Sequence, residues 1–238
     1  MPNSKTFTVH SSLLFNPKKK AFIKNVSIKV DRQSGAIADV VKRAEDEDDA
    51  SLQLEDDDID LRGKEVLPGF VDSHTHVFLY SYKERPAGKQ MRDESTVERL
   101  VRATNHVRAA LLAGYTTYRD LGTETLGNAD ANLRDCINCG LTPGPRLFVA
   151  TEALASSGSY ELRIENRFGG ALSVARACGP VDSVDGVCAA VRRCVGDGAD
   201  FIKFYADFRC KVMRFLNARA DWAPVRLLNE NEYGGCRV

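Results

Sequence analysis

Short runs of alternating apolar and polar side chains fill residues 5 to 65: FTVHSSLLF, AFIKNVSIKV and AIADVV. A period of two marks strands with one face half-buried, so a small sheet is predicted here. Asn16-Pro17 and Ser34-Gly35 supply the turns, and Lys18 to Lys20 predict a solvated hairpin tip. Carboxylates crowd positions 45 to 60; they repel one another and leave little apolar surface to order the segment, which predicts a flexible loop. The run lacks the spaced acidic positions and closing glutamate of a calcium loop.

Beyond Val66 the texture changes. VLPGFVDSHTHV (Val66 to Val77) reads as an apolar strand broken by Pro68 and Gly69. Val97, Leu100, Val101, Val107 and Leu111 recur near the helical period, predicting a helix over 96–113 closed by Gly114. A strand over 115–122, a helix over 129–138 and a strand over 145–153 follow. A connection rich in glycine and serine then leads to a helix over 184–195 and a strand over 199–207. Such alternation predicts an α/β fold with a parallel sheet, open or closed into a barrel, that binds ligands at the carboxyl ends of its strands. The domain organisation expected is a sheet segment at 1–65, a βα region at 66–207 and an arginine-rich, aperiodic tail at 208–238.

Composition narrows the class. Lysine plus arginine equals aspartate plus glutamate at 33 each, so no long-range field favours a nucleic acid or an anionic membrane. With 238 residues, 43% of them hydrophobic, the chain can bury a real core. No apolar run approaches a membrane span, and the first residues lack the pattern of a secretory signal. Seven cysteines, an odd number scattered over the second half, suggest reduced thiols and a cytoplasmic protein. Cys136 and Cys139 form a CxxC within a helical pattern and without a second pair; they read as structural or surface thiols.

The candidate chemistry begins at the end of VLPGFVDSHTHV. Alternate strand residues share a face, so Phe70, Asp72, His74 and His76 point one way, while Val71, Ser73 and Thr75 point to the side a helix would cover. Two imidazoles so placed can grip one divalent ion, zinc being the type best suited. Asp72 could orient a ligand or the backbone. Lys203, in FIKFYAD, lies in an apolar strand where a lone ammonium is costly to bury. An ion pair with Asp200, Asp207 or another inward acid would compensate. So would reaction of the neutral amine with carbon dioxide, giving a carbamate able to ligate metal. Asp120 could orient substrate or hydrogen-bond a ligand, or else pair with Arg119 or cap the next segment. His106 falls with Arg99, Arg102 and Asn105 on the polar face of its helix and reads as a surface histidine; His10 belongs to the N-terminal sheet. Neither a GxSxG elbow nor a phosphate-binding GxxxxGK[ST] loop is present.

Three segments together, IDLRGKEVLPGFVDSHTH (Ile59 to His76), AGYTTYRDLG (Ala113 to Gly122) and GADFIKFYAD (Gly198 to Asp207), resemble the metal-dependent amidohydrolase superfamily, in its imidazolonepropionase-like and prolidase-like branch. The resemblance implies a (β/α)8 TIM-type barrel carrying a small β-sandwich. About four βα units of that barrel would lie here, with the N-terminal segment belonging to the sandwich. It implies one or two divalent ions, most fittingly zinc, with ligation by His74 and His76 and a carboxylated Lys203 that bridges two such ions, which favours the carbamate over the ion pair. It also implies hydrolysis of amide, cyclic amide or Xaa-Pro dipeptide C–N bonds by a metal-activated water.

Relatives of this kind use further histidines on strands five and six and an aspartate on strand eight. This chain has no histidine after His106, and its barrel region is shorter than the roughly 250 residues of a complete barrel. A truncated member is therefore expected, with weak metal binding and impaired turnover. Two other readings stand beside the enzyme. One is an inactive fragment that acts by pairing its open sheet edge with another chain, which leaves room for a homo-oligomer. The other is a lactonase or phosphotriesterase activity on the same metal scaffold.

Overall fold

The computed structural model describes residues 5–44, 52–157 and 178–205. The 208–238 tail, Asp207 and most of the glycine- and serine-rich connection lie outside the described residues. The chain divides into two compact units, Met1–Pro68 and Gly69–Val238.

In the first unit β1 (Thr6–Asn16) and β2 (Ala21–Asp31) pair antiparallel across the Pro17–Lys20 turn, in register from Thr6 opposite Asp31 to Asn16 opposite Ala21. β3 (Ile37–Lys42) extends the sheet beside β2, and β4 (Ile59–Val66) adds to β1 in parallel, giving the order β3-β2-β1-β4. Two expectations change here. IDLRGKEV forms β4, although its charged residues hide the alternation. The described part of the acidic run is also tied down: Asp58 accepts the Thr8 backbone N–H at 2.9 Å and lies 3.3 Å from His10 Nε2, and Asp57 lies 3.0 Å from Arg32 Nη2. Such donors stabilise the charged carboxylates and fix the approach to β4. Residues 45–51 lie outside the described residues.

The second unit alternates strand and helix. β5 (Phe70–Thr75), β6 (Tyr115–Asp120) and β7 (Arg146–Val149) form a parallel sheet in that order. Helices α2 (Thr96–Leu112) and α3 (Ala129–Asn138) cover it, and a short α1 (Ala87–Arg92) precedes α2. Val77, Phe78, Ala103, Val107, Ala131, Leu133, Leu147 and Val149 make one core between helices and sheet. Past Thr151, where φ reaches 61°, the chain resumes as β8 (Ala153–Ala155). β8 pairs in parallel with β9 (Cys178–Pro180) and with β10 (Phe204–Tyr205). Asp200 and Lys203 reach back along this bent strand: the Asp200 N–H donates to the Val149 carbonyl at 2.8 Å, and the Leu154 N–H to that of Lys203 at 2.9 Å. Helix α4 (Val184–Gly196) packs Ala190 and Cys194 against Leu154.

Helix α2 starts as its sequence dictates. Ser95 caps it, accepting the Glu98 N–H at 3.1 Å in the S-x-x-E pattern, and Gly114, at φ 90°, takes the left-handed conformation that ends it. Its inward face is not the predicted one. Arg99, Arg102, Ala103, Val107 and Ala110 are buried, whereas Val97 (68% exposed), Leu100 and Val101 face outward among the described residues. Both sets recur with the helical period. Two alanines let the backbone approach the sheet, and the buried arginines find partners at the strand ends: Arg102 lies 3.9 Å over the Tyr80 ring, 2.7 Å from Glu94, and donates to the Phe78 carbonyl at 3.2 Å.

His106, on this same inward side, is no surface residue. Its Nδ1 lies 3.0 Å from the Val77 carbonyl, and its ring stacks edge-on against Tyr80. Val71, expected under a helix, is 66% exposed. β5 is an edge strand among the described residues, and Val77 and Phe78, just past its end, plug the core instead.

Phe78 is fully buried at the centre of that core. Phe78→Ala should cost about 3–5 kcal/mol of stability in urea unfolding; a loss below about 1 kcal/mol would show that the helices do not close over the sheet as described.

Candidate metal centre

The HxH pair sits where β5 ends. The His74 and His76 rings lie 5.6 Å apart, centroid to centroid, with an interplanar angle of 65°. Asp72 accepts the His74 backbone N–H at 3.0 Å and so orients the backbone. His74 is exposed; His76 is largely buried. His76 Nδ1 lies 2.9 Å from the Gly122 carbonyl oxygen. A carbonyl can only accept, so Nδ1 carries the proton and Nε2 presents its lone pair inward.

Lys203 meets that lone pair. Its Nζ lies 3.5 Å from His76 Nε2, and 4.9 Å above the Tyr205 ring. Strands β5 and β10 thus bring together two residues 127 positions apart. Burial lowers the pKa of Lys203, while the charges of Glu124 and Asp120 act the other way. A lowered pKa leaves more neutral amine, the form that reacts with carbon dioxide. Among the described residues Asp200, the first of the partners expected in its own strand, does not compensate the charge. Asp200 turns instead to Arg134 Nη1 and the Val149 N–H, both at 3.0 Å, and Asp207 lies outside the described residues.

Asp120 is fully buried at the end of β6. It does not pair with Arg119, whose guanidinium lies 4.2 Å over the Phe201 ring, because successive strand residues face opposite sides. Its Oδ1 accepts the Val77 N–H at 3.0 Å and the Thr75 hydroxyl at 3.4 Å, bracketing His76. Among the described residues Oδ2 has no hydrogen-bond partner. Burial therefore pushes its pKa well up, despite those two donors.

Glu124 escaped the sequence reading. Only 6% exposed, it accepts the Tyr205 hydroxyl at 3.2 Å, and its Oε1 lies 4.0 Å from His76 Nδ1. Burial raises its pKa, against the pull of Lys203 and the Tyr205 hydrogen bond. The available signal was its position, four residues past Asp120 in a loop at the carboxyl end of a parallel strand, where functional groups gather.

Among the described residues no cluster of three His, Cys, Asp or Glu side chains could hold a metal ion. Cys136 and Cys139 are free thiols on α3 and its cap, Cys139 Sγ donating to the Cys136 carbonyl at 3.4 Å.

The family model for the amidohydrolase family matches residues 66–220. The chain belongs to the amidohydrolase family. Solved structures similar to this chain include a prolidase complexed with N-methylphosphonate-L-proline (27% identity, TM-score 0.66, 85% of this chain and 47% of that one). A Xaa-Pro dipeptidase with methionine bound in its active site is similar too (28%, 0.64, 84% and 46%). The ochratoxinase of A. niger, at 23% identity and TM-score 0.61 over 85% and 47%, shares the fold. The chain thus spans less than half the length of these structures. Its mixed α/β fold is part of a TIM-barrel-type architecture. No protein of curated function matches it significantly. Among the described residues no helix is long and apolar enough to cross a membrane.

Burial, with repulsion from Lys203 and His74, pushes the His76 pKa down to about 4, despite the Gly122 hydrogen bond. An unfolded histidine titrates near 6.5. Between those values the unfolded chain binds the extra proton, so this group's contribution to stability rises with pH from about 4 to 6.5 and is lost on acidification through that window. Imidazole NMR of metal-free protein should show His76 neutral at pH 5; a midpoint near 6.5 would contradict its burial.

Proposed function

We propose that this chain carries the first part of the active site of a metal-dependent amidohydrolase, with His74, His76 and Lys203 as metal ligands. The single observation behind the assignment is the 3.5 Å approach of Lys203 Nζ to His76 Nε2. Two atoms that both coordinate metal when deprotonated face one another across the end of a parallel sheet. The donor set suits zinc: imidazole nitrogen is a preferred ligand, and a carbamate on Lys203 would add anionic oxygen.

Lys203 acquires that oxygen in one step. The neutral amine attacks the carbon of carbon dioxide; as the N–C bond forms, one C=O π bond breaks with its electron pair moving onto oxygen, and the proton leaving nitrogen passes to solvent water, giving the carbamate. Gly122 holds the His76 tautomer that keeps Nε2 unprotonated, and Asp120 fixes the backbone on either side of the ring. A bound divalent ion would supply Lewis acidity and make water nucleophilic at neutral pH.

The substrate class is a small amide, with a Xaa-Pro-type dipeptide favoured by the prolidase and Xaa-Pro dipeptidase among the similar structures. The reading includes a half-barrel of about four βα units, an N-terminal β-sandwich segment and a cytoplasmic setting. Three ligands make only part of a cage, so weak zinc binding and little turnover by this chain alone belong to it. The exposed edge of β5, with Phe70 and Val71 about half or more exposed, favours a second reading in which the chain works by associating with another polypeptide.

Zinc titration with and without bicarbonate tests the first reading. Bicarbonate should tighten binding to the native chain and leave Lys203→Arg unaffected. His76→Ala should weaken binding on the order of 100-fold, the upper end of the loss produced by second-shell changes. Equal affinities for the native chain and a His74→Ala/His76→Ala variant would overturn the assignment.

A further inference from the structure

We propose that Arg99, on α2, is a positioning residue that sets both His76 and Lys203 through the loop at 122–125; calling these two side chains ligands rests on the reading above. Arg99 is 2% exposed. Its Nη1 donates to Thr125 Oγ1 at 2.7 Å, and its Nη2 to the carbonyls of Thr123 and Glu124 at 2.7 and 2.8 Å. These three acceptors belong to consecutive residues.

The backbone it grips is strained. Glu124 has φ 50° and Thr125 φ 89°, left-handed values that are uncommon for side-chain-bearing residues and especially so for a β-branched one. Strain of this kind costs roughly 1–3 kcal/mol per residue and persists only where the surroundings over-determine it. The planar fork of Arg99 supplies the determination from below, and the Thr123 N–H, donating to the Thr151 carbonyl at 3.2 Å, supplies it from the side.

The opposite side of the loop touches the candidate ligands. The Gly122 carbonyl takes the Nδ1 proton of His76. The Glu124 carboxylate takes the Tyr205 hydroxyl, and Lys203 Nζ lies over the ring of that same tyrosine. One clamped loop therefore connects to both halves of the centre, β5 through Gly122 and β10 through Glu124. A buried guanidinium is an expensive way to fill space, and its three hydrogen bonds to one loop give it a role beyond packing.

The test uses the full chain, without metal first. The His76 tautomer is read by nitrogen-15 NMR in the native protein, Arg99→Met, Arg99→Lys and a core control, Leu133→Ala. Folding is checked by circular dichroism. Expected is a single Nδ1–H tautomer in the native chain and the control, and a tautomer mixture in Arg99→Met. Arg99→Lys, which keeps the buried charge but loses the fork, should shift the same way and serves where Arg99→Met does not fold. Zinc affinity, measured by competition with a chromophoric chelator, should fall about 10–100-fold in the Arg99 variants. A folded Arg99 variant with the native tautomer overturns the proposal, as does an equal shift in the control. A native chain that binds no zinc yet shows the tautomer change sinks the metal assignment and leaves the positioning role standing.

Discussion

One hydrogen bond organises this centre: the Nδ1 proton of His76 on the carbonyl of Gly122. It decides which nitrogen of the ring is free, and the free one is the atom Lys203 approaches. Gly122 itself adopts φ 110°, a conformation in which a Cβ would meet the Thr151 carbonyl oxygen at 3.2 Å. Only glycine turns the chain there without strain, so the ring's tautomer descends from a backbone requirement at the end of β6.

Around that bond the fold concentrates desolvated charge. Asp120 ends β6, Glu124 lies in the loop after it, Lys203 immediately precedes β10 and Arg99 is on α2, and burial shifts each away from its ordinary titration range. A packed scaffold does not need such groups, and apolar residues of similar volume would serve stability as well or better. Their clustering supports the proposed chemical role of this region.

Much of this was legible in the chain and some was not, for identifiable reasons. The β-strand period of the N-terminal segment and the bounds of α2 and α4 follow from local patterns: alternation, a Ser95 cap, a terminal glycine. The strand parity that puts His74 beside His76 is equally local. The inward face of α2 was misread because arginine was counted as outward, whereas Arg99 and Arg102 bury themselves on acceptors from distant loops. Glu124 is marked in the sequence only by its position just past a strand end; its place depends on two consecutive left-handed residues and on a tyrosine 81 positions away. The strands β8 and β9 are too short to show a period. Asp120 was weighed against Arg119 by proximity in sequence, when strand geometry separates them.

X-ray absorption at the zinc edge of the metal-loaded chain probes the centre most directly. A shell of nitrogen and oxygen at about 2.0–2.1 Å with imidazole scattering beyond it is the expected result, and it should lose imidazole amplitude in His76→Ala. Sulfur at about 2.3 Å, or a spectrum indifferent to that substitution, would place the metal on the cysteines or elsewhere and contradict a centre built on His76 and Lys203.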